Sequence, residues 1–487
     1  MFVVGVDLGT QSLKAVVCDD ALAVRGEHAI GYATQRPAPD RAEQDPRTWE
    51  ATLGPAIAGA LAQAGVASGA VAAIAITGQL DGCIAVDRAG AALHPALIWQ
   101  DRRAFAEVAR VDAARVFALT GQVADASHLA PKLAWLRRAC PAAARFHQPV
   151  SYLVERLTGA AVIDPALAST TMLFELAAAR WSSELLDAFE VTADELPCVR
   201  PTCEVAGALT AEGARLTGLP IGTPVAVGTG DDFAAPIGAG VVAPGPIVCA
   251  IGTAEVVGGF ARTAVLDRAD EPMVETHAAP AGGFFVENPG WMSGGAVRWA
   301  THLLGLPDDA ALDALAAAAP PGAGGVTFVP ALAGAMTPVW RPHARGTLHG
   351  LAAGHDRRHV ARAVLEGLAF AARDVVGRLG TLGLATRDVV LLGGGARSRS
   401  WAQIRADVLG CPHHVAAARD ATPIGAAMIA AVAAGLAPEL TTLAARVPPP
   451  TATFMPDPDA REAADHAYAR YLRLVGQLAP LAAAPWA

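Results

Sequence analysis

An α/β protein built from two similar halves around a cleft is the fold the sequence predicts, and three observations carry it. Apolar, β-branched runs alternate with helical spacings along most of the chain. A unit of strand, Gly-Thr turn and strand occurs twice, in FVVGVDLGTQSLKAVVCDD at the start and in IVCAIGTAEVV at 247–257, about half a chain apart. A length of 487 residues exceeds one ordinary core, so two domains of roughly equal size are expected.

The elements follow in order. The first hairpin, with its turn at Gly9-Thr10, leads to WEATLGPAIAGALAQAG, which has helical spacing; VAAIAIT is a buried strand and PKLAWLRRAC an amphipathic helix. Glycine and proline cluster in GAGVVAPGPIV, which places the domain boundary near residue 240 and the domains at 1–240 and 241–487. In the second half HVARAVLEGLAFAARDVVGRLG reads as a long helix ending at Gly380, DVVLLGGG as a strand, and SRSWAQIRADVLG as a helix ending at Gly410. The Ala-rich stretch near 424–436 follows Pro423 and is short for a bilayer, so it reads as a buried helix and no membrane contact is expected. Residues 438–458, rich in Pro and Thr, read as a surface connection before a last helix near 459–478.

Composition excludes several classes. Hydrophobic residues at 53% against 17% charged argue for a packed interior and against disorder. A formal net charge of -9 offers no basic stripe, so nucleic acid is not an expected partner. The start, MFVVGVDLGT, has no basic segment and reaches Asp7 within its first apolar run, unlike a secretion signal. Seven cysteines without CxxC spacing read as reduced thiols, which points to the cytoplasm and away from disulfides or a structural metal.

Two adjacent acids in VGTGDDFAAPIG pose the main chemical question. Asp231 and Asp232 disfavour each other's ionisation and sit where burial is expected, so a cation, a metal or a substrate is needed as partner. DLGTQSLK supplies a turn suited to phosphate: Gly9 permits close approach, Thr10 and Ser12 add hydroxyls, and Lys14 is one of only two lysines, with Lys132. Asp7, just before that turn, is placed to hold Mg²⁺ directly or through water. An ordinary hairpin with a strand-end acid fits the same spacing.

No GxxxxGK[ST] run exists, which excludes a P-loop. LLGGGARS, with Gly393, Gly394 and Gly395, follows a strand and precedes a helix; Ser398 stands where a dinucleotide fold has its third glycine, so an adenosine shelf in another α/β fold is preferred to a Rossmann site. TGQLDG and IWQDRRA both follow strands, and Gln79, Asp81 and Asp101 there suit a hydroxyl-rich ligand, although each alone also reads as a loop residue. CPHH at 411–414 lacks a further metal ligand and reads as the start of a strand.

Taken together, VGVDLGTQSLKAVV, EQDP at 43–46, TGQLDG, WQDRR, GTGDDFAAPIGAG, IGTAEVV and LLGGGARSRSWAQIRADVLG run in the order of the FGGY family of carbohydrate kinases, and the chain most resembles its xylulokinase branch. The resemblance implies two actin-like (ribonuclease H-like, ASKHA) domains flanking a central cleft in which ATP, with Mg²⁺, meets a sugar. The N-terminal domain would hold the sugar, the first phosphate loop and the catalytic acid; the C-terminal domain would hold the second phosphate loop and the adenosine. Residue by residue, it makes Asp231 the general base and puts Asp232 at the position of a sugar-contacting Asn or Gln. Asp7 matches the metal-associated acid, and Thr10, Gln11, Ser12 and Lys14 match the first phosphate loop. Gly252 and Thr253 match the second, while Gly294, Arg298, Gly394, Gly395 and Arg399 match positions lining the nucleotide. Gln79, Leu80, Asp81 and Asp101 fall on the sugar side.

Two departures concern the sugar. Gln79-Leu80-Asp81-Gly82 stands where xylulokinases usually read Gln-Met-His-Gly, and GAMTP at 334–338 replaces a Gly-Glu-Arg-x-Pro stretch. The expected reaction is D-xylulose to D-xylulose 5-phosphate, with another ketose or a polyol of the erythritol, ribulose or glycerol type as the alternative. A homodimer is left open by the resemblance. Of the rival classes, a nonenzymatic actin-like scaffold would need no Asp231, and a dinucleotide oxidoreductase rests on the glycine run alone.

Overall fold

The computed structural model describes residues 1–482. Two seven-stranded sheets, one in each half of the sequence, share a strand order. In the first, Phe2–Leu8 is antiparallel to Ser12–Asp19, which is antiparallel to Val24–Gly31; on its other edge Phe2–Leu8 is parallel to Val71–Gly78, followed by Pro224–Ala226. In the second, Ile247–Ile251 is antiparallel to Ala254–Ala261, which is antiparallel to Phe284–Met292; on its other edge Ile247–Ile251 is parallel to Val389–Leu392, followed by His413–Val415. The two Gly-Thr hairpins are therefore equivalent pieces of a duplicated architecture. Their central strands are buried on both faces, which is why they read as unbroken Val, Ile and Leu runs.

The halves meet along two helices. Asp231–Gly238 packs on Ala421–Ala433, whose Ala-rich sequence and buried Ala426, Ala427, Met428, Ile429 and Ala430 leave no polar face for solvent. Glycine permits the close approach: a Cβ on Gly425 would lie 2.0 Å from Ala234 O, and one on Gly238 would lie 1.9 Å from Ala421 O. Gly425→Ala is expected to force the helices apart and to destabilise the protein by about 1–3 kcal/mol or more, read as a lower thermal midpoint.

Two sequence expectations need correction, at residues 438–458 and at Gly380. Helix Ala421–Ala433 comes from the second half of the chain yet lies on the first sheet, joining Val3, Val16, Ala73 and Ala75 in one apolar cluster. Residues 438–458 are more than a surface connection: Leu440–Ala444 buries Leu440 and Leu443, and Ala452–Phe454 is an edge strand of the second sheet. The helix Arg357–Thr381 runs through Gly380, and the chain turns instead at Gly383, whose φ is 90°. The last helix, Pro458–Leu478, is where its pattern placed it. Among the described residues no helix is long and apolar enough to cross a membrane.

Candidate active site in the cleft

Register explains how distant motifs meet. Across the first sheet Asp7 is level with Lys14 on one side and Thr77 on the other, and Thr77 is level with Thr229. Each parallel strand then ends together: Gly78 runs into Gln79-Leu80-Asp81 and Gly230 runs into Asp231-Asp232. The carboxyl ends of neighbouring parallel strands, where the backbone leaves the sheet, form the natural crevice of such folds.

Asp231 and Asp232 open the helix Asp231–Gly238, capped by Gly230. Both are half-buried, and Asp231 Oδ1 accepts a 3.2 Å hydrogen bond from the Asp232 N–H. Neither carboxylate is in an ion pair; no arginine claims Asp231 among the described residues. Burial pushes the Asp231 pKa up to about 6, opposed by backbone N–H groups and by Lys14, with Asp81 adding to the rise. Burial and then Glu287 push Asp232 well above the usual carboxylate range.

Asp7 is 4% exposed, its Oδ2 is 3.7 Å from Lys14 Nζ, and its Oδ1 is buried without a partner among the described residues. Burial, and next Asp231, push its pKa well up, so Asp7 and Asp231 act on one shared space. A buried, unpartnered carboxylate oxygen beside a phosphate turn fits a divalent cation that takes its remaining ligands from phosphate and water.

The first turn is tight: the Gly9 N–H donates to Ser12 O at 3.1 Å, and Tyr32 Oη donates to Gly9 O. Thr10 is braced by Trp99 Nε1, 3.0 Å from its Oγ1, and by Gln44 Nε2, 2.6 Å from its carbonyl. Gln11 is exposed and Ser12 half-buried in the same turn. Lys14 Nζ lies 2.5 Å from Asp420 Oδ2, at the start of helix Ala421–Ala433, so the second half holds the lysine of the first.

The second turn faces a similar set. The Gly252 N–H donates to Ala254 O at 2.8 Å, the Gly294 N–H to Gly252 O at 3.1 Å, and Arg298 Nη2 to Thr253 Oγ1 at 2.9 Å. Gly395 packs on Ile251, where a Cβ would lie 2.3 Å from Ile251 Cγ2, while Gly394 is exposed and meets nothing nearer than Arg397. The glycine run thus lies beside the second turn because Val389–Leu392 pairs with Ile247–Ile251. Arg399 sits over the Phe454 ring, 5.2 Å from its centroid.

The sugar-side residues divide. Gln79 is buried, donates Nε2–H to Gln44 Oε1 at 2.9 Å and leaves its own Oε1 without a partner among the described residues. Leu80 is half-buried near Gly230. Asp81, at φ 60°, sits at the cleft, its Oδ1 3.3 Å from His128 Nδ1. Asp101 is different: it is 0% exposed, and both its oxygens are taken by Arg103 and by the Ala42 N–H. It braces the wall and has no oxygen free for a ligand.

Sequence reasoning missed His128, Glu275, His277, Glu287 and Asp420, whose only signal was proximity that the fold creates. Lys132 was flagged by its rarity; it is fully buried, donates to Asp81 O at 2.7 Å, and burial pushes its pKa down to about 8.

Comparison with known proteins identifies the family of the chain. Residues 2–238 match the N-terminal domain and residues 247–434 the C-terminal domain of the FGGY family of carbohydrate kinases. The chain is 32% identical to the xylulose kinase of Escherichia coli (strain K12), covering 99% of this chain and 100% of that protein. It is 33% identical to a glycerol kinase of Citrifermentans bemidjiense, over 89% and 90% of the two chains. It is also similar to the crystal structure of xylulose kinase from Rhodospirillum rubrum, with a TM-score of 0.89 at 31% identity and coverage of 99% and 100%. Sugar kinases of the FGGY family use ATP. With both family domains in order on duplicated sheets, this chain belongs to the FGGY family of carbohydrate kinases and is a kinase of that type.

Proposed function

We propose that the protein transfers the γ-phosphate of ATP to a hydroxyl of a small ketose or polyol, with Asp231 as general base. The observation that carries this reading is an unpaired carboxylate at the cleft, on a helix start, in the electrostatic range of Asp7 and Lys14. D-xylulose and the glycerol-type polyols are both acceptors to test, since xylulose and glycerol kinases stand at nearly equal identity to the chain.

Phosphoryl transfer needs positioning and charge neutralisation more than covalent help. Asp231 accepts the proton of the attacking hydroxyl, a step worth roughly 10²- to 10⁴-fold. The turns at Gly9-Thr10 and Gly252-Thr253 offer backbone N–H groups and hydroxyls to phosphate oxygens, and Lys14 adds one positive charge. Mg²⁺ held at Asp7, when bound, supplies the remaining neutralisation of phosphate charge. Gly394, Gly395 and Arg298 form the nucleotide side, and Gln79, Leu80, Asp81 and Asp232 form the acceptor side.

The pH dependence tests the base. Asp231 works only as the carboxylate, so kcat/KM is expected to fall tenfold per unit below an apparent pKa near 6 and to level off above it. A flat profile from pH 5 to 8, with the chemical step shown to limit the rate, would remove Asp231 from that role. ADP release measured over ketopentoses, tetritols and glycerol tests the acceptor class.

A further inference from the structure

Asp81 is held at three points. It follows the strand Val71–Gly78 with φ at 60°, a left-handed conformation that a residue with a Cβ adopts sparingly and keeps where its surroundings hold it. Its N–H donates to Gln148 Oε1 at 2.9 Å, its carbonyl accepts from Lys132 Nζ at 2.7 Å, and its Oδ1 faces His128 Nδ1 at 3.3 Å. Gln148 is itself fixed: it is fully buried and donates Nε2–H to Leu167 O and to Thr170 Oγ1, each at 2.8 Å. Backbone and side chain of one residue are thus gripped by three side chains from other elements.

Lys132 belongs to the helix Leu129–Ala139 and has no exposed surface. Its ammonium is bound by two backbone carbonyls, those of Asp81 and Ser127, rather than by a carboxylate. An ion taken out of water without a counter-ion is a poor source of stability, and an apolar chain of the same length would pack there more favourably. What the lysine does provide is a tie between the turn at Asp81 and the start of its own helix.

His128 stands four residues earlier, at the cap of that helix. Its Nδ1 is also 3.0 Å from Thr170 O, and its Nε2 is 3.1 Å from Val123 O and 3.6 Å from Glu275 Oε1 in the second half. Carbonyl oxygens only accept, so both ring nitrogens carry hydrogen and the ring is an imidazolium. Although burial opposes that charge, Asp81 and Glu275 hold the pKa up at about 10. With Oδ1 committed to this cation, Oδ2 is the Asp81 oxygen that has no hydrogen bond among the described residues.

This turn lies beside Asp231. Gly78 is level with Gly230 across the sheet, and a Cβ on Gly230 would lie 3.2 Å from Leu80 Cδ2. Asp81 and Asp231 therefore leave neighbouring strand ends. Gln79 Oε1, in the same turn as Asp81, is a second buried acceptor atom without a partner among the described residues.

We propose that Lys132 and His128 are positioning residues for the phosphate acceptor: they fix Asp81 so that its Oδ2 receives a hydroxyl of the sugar or polyol other than the one that attacks. The inference rests on the kinase reading above and concerns how the acceptor is bound. Neither side chain touches the acceptor; both act through Asp81. A carboxylate already locked in its binding geometry loses little freedom when the acceptor arrives, which strengthens binding without a new contact.

Steady-state kinetics with Mg-ATP test the clamp, using the acceptor on which the parent is fastest among ketopentoses, tetritols and glycerol. Lys132→Met is expected to raise the acceptor KM about tenfold or more, with kcat and the KM for ATP each within about threefold of the parent. His128→Asn, which keeps a donor and loses the charge, is expected to move the acceptor KM the same way by a smaller factor. The deciding comparison is a cycle with Asp81→Ala. In that background Lys132→Met is expected to change the acceptor KM by less than about twofold, because the carboxylate it positions is gone, whereas a merely structural lysine would keep its full effect. An effect of equal size with and without the Asp81 carboxylate, an equal rise in the KM for ATP, or an acceptor KM unmoved by both substitutions overturns the clamp and leaves the kinase standing. Failure of both variants to fold overturns it too, since the two residues would then serve stability. Absence of acceptor-stimulated ADP release by the parent across the whole series overturns the kinase reading, and the clamp with it.

Discussion

Asp231→Asn is expected to lower kcat by about 10²- to 10⁴-fold while nucleotide binding stays near that of the parent and the protein becomes more stable. The two effects have one origin. Burial raises the Asp231 pKa from 3.8 to about 6, so holding the carboxylate ionised at neutral pH costs free energy. At 1.36 kcal/mol per unit, discounted for its partial exposure to the cleft, removing that charge gains about 1–3 kcal/mol. The sign of the pH dependence is fixed by linkage. Between pH 4 and 6 the unfolded chain ionises this group while the folded chain keeps it protonated, so the parent loses stability as pH rises and carries the full penalty above pH 6. The advantage of the Asn variant should therefore be largest above pH 6 and shrink towards pH 4, as read by thermal or denaturant unfolding. An inactive variant that is also less stable at pH 7 would mean that Asp231 is a structural anchor.

Glu255→Gln is expected to be the most destabilising single polar change, at about 3–5 kcal/mol. Glu255 and Arg405 are both 0% exposed and paired, and Glu255 Oε2 also accepts from Ser293 Oγ at 2.7 Å. Glu255 follows the second Gly-Thr turn, and Ser293 precedes the helix Gly294–Leu303 that packs on that turn, so the pair ties Arg399–Leu409 to the phosphate loop. Removing one partner leaves an uncompensated guanidinium in the core. Chemical denaturation should show the loss, and KM for ATP should rise in whatever folded fraction remains. A variant within about 1 kcal/mol of the parent would show that Arg405 finds another acceptor.

Much of this was written in local sequence. Hydrophobic periodicity and two Gly-Thr hairpins established the α/β class and the duplication, because strand burial and turn chemistry are properties of short segments. Asp7, Asp231 and the glycine run could be named beforehand because each sits at the end of an apolar strand, where a parallel sheet presents its side chains to a crevice. The helix at 421–433 could be recognised as buried, but not its place on the sheet of the other half, since composition says nothing about which surface covers it. Asp101 shows the opposite limit: its strand-end position suggested a ligand, and only the fold revealed Arg103 closed around it. Likewise, Glu275 and Glu287 lie on separate strands in unremarkable surroundings, and the approach of Glu275 to His128, which also faces Asp81, depends on pairing register and on how the halves are apposed. Electrostatic coupling acts through space over a few ångströms, so the acidity of the acceptor end exists only once the chain has folded.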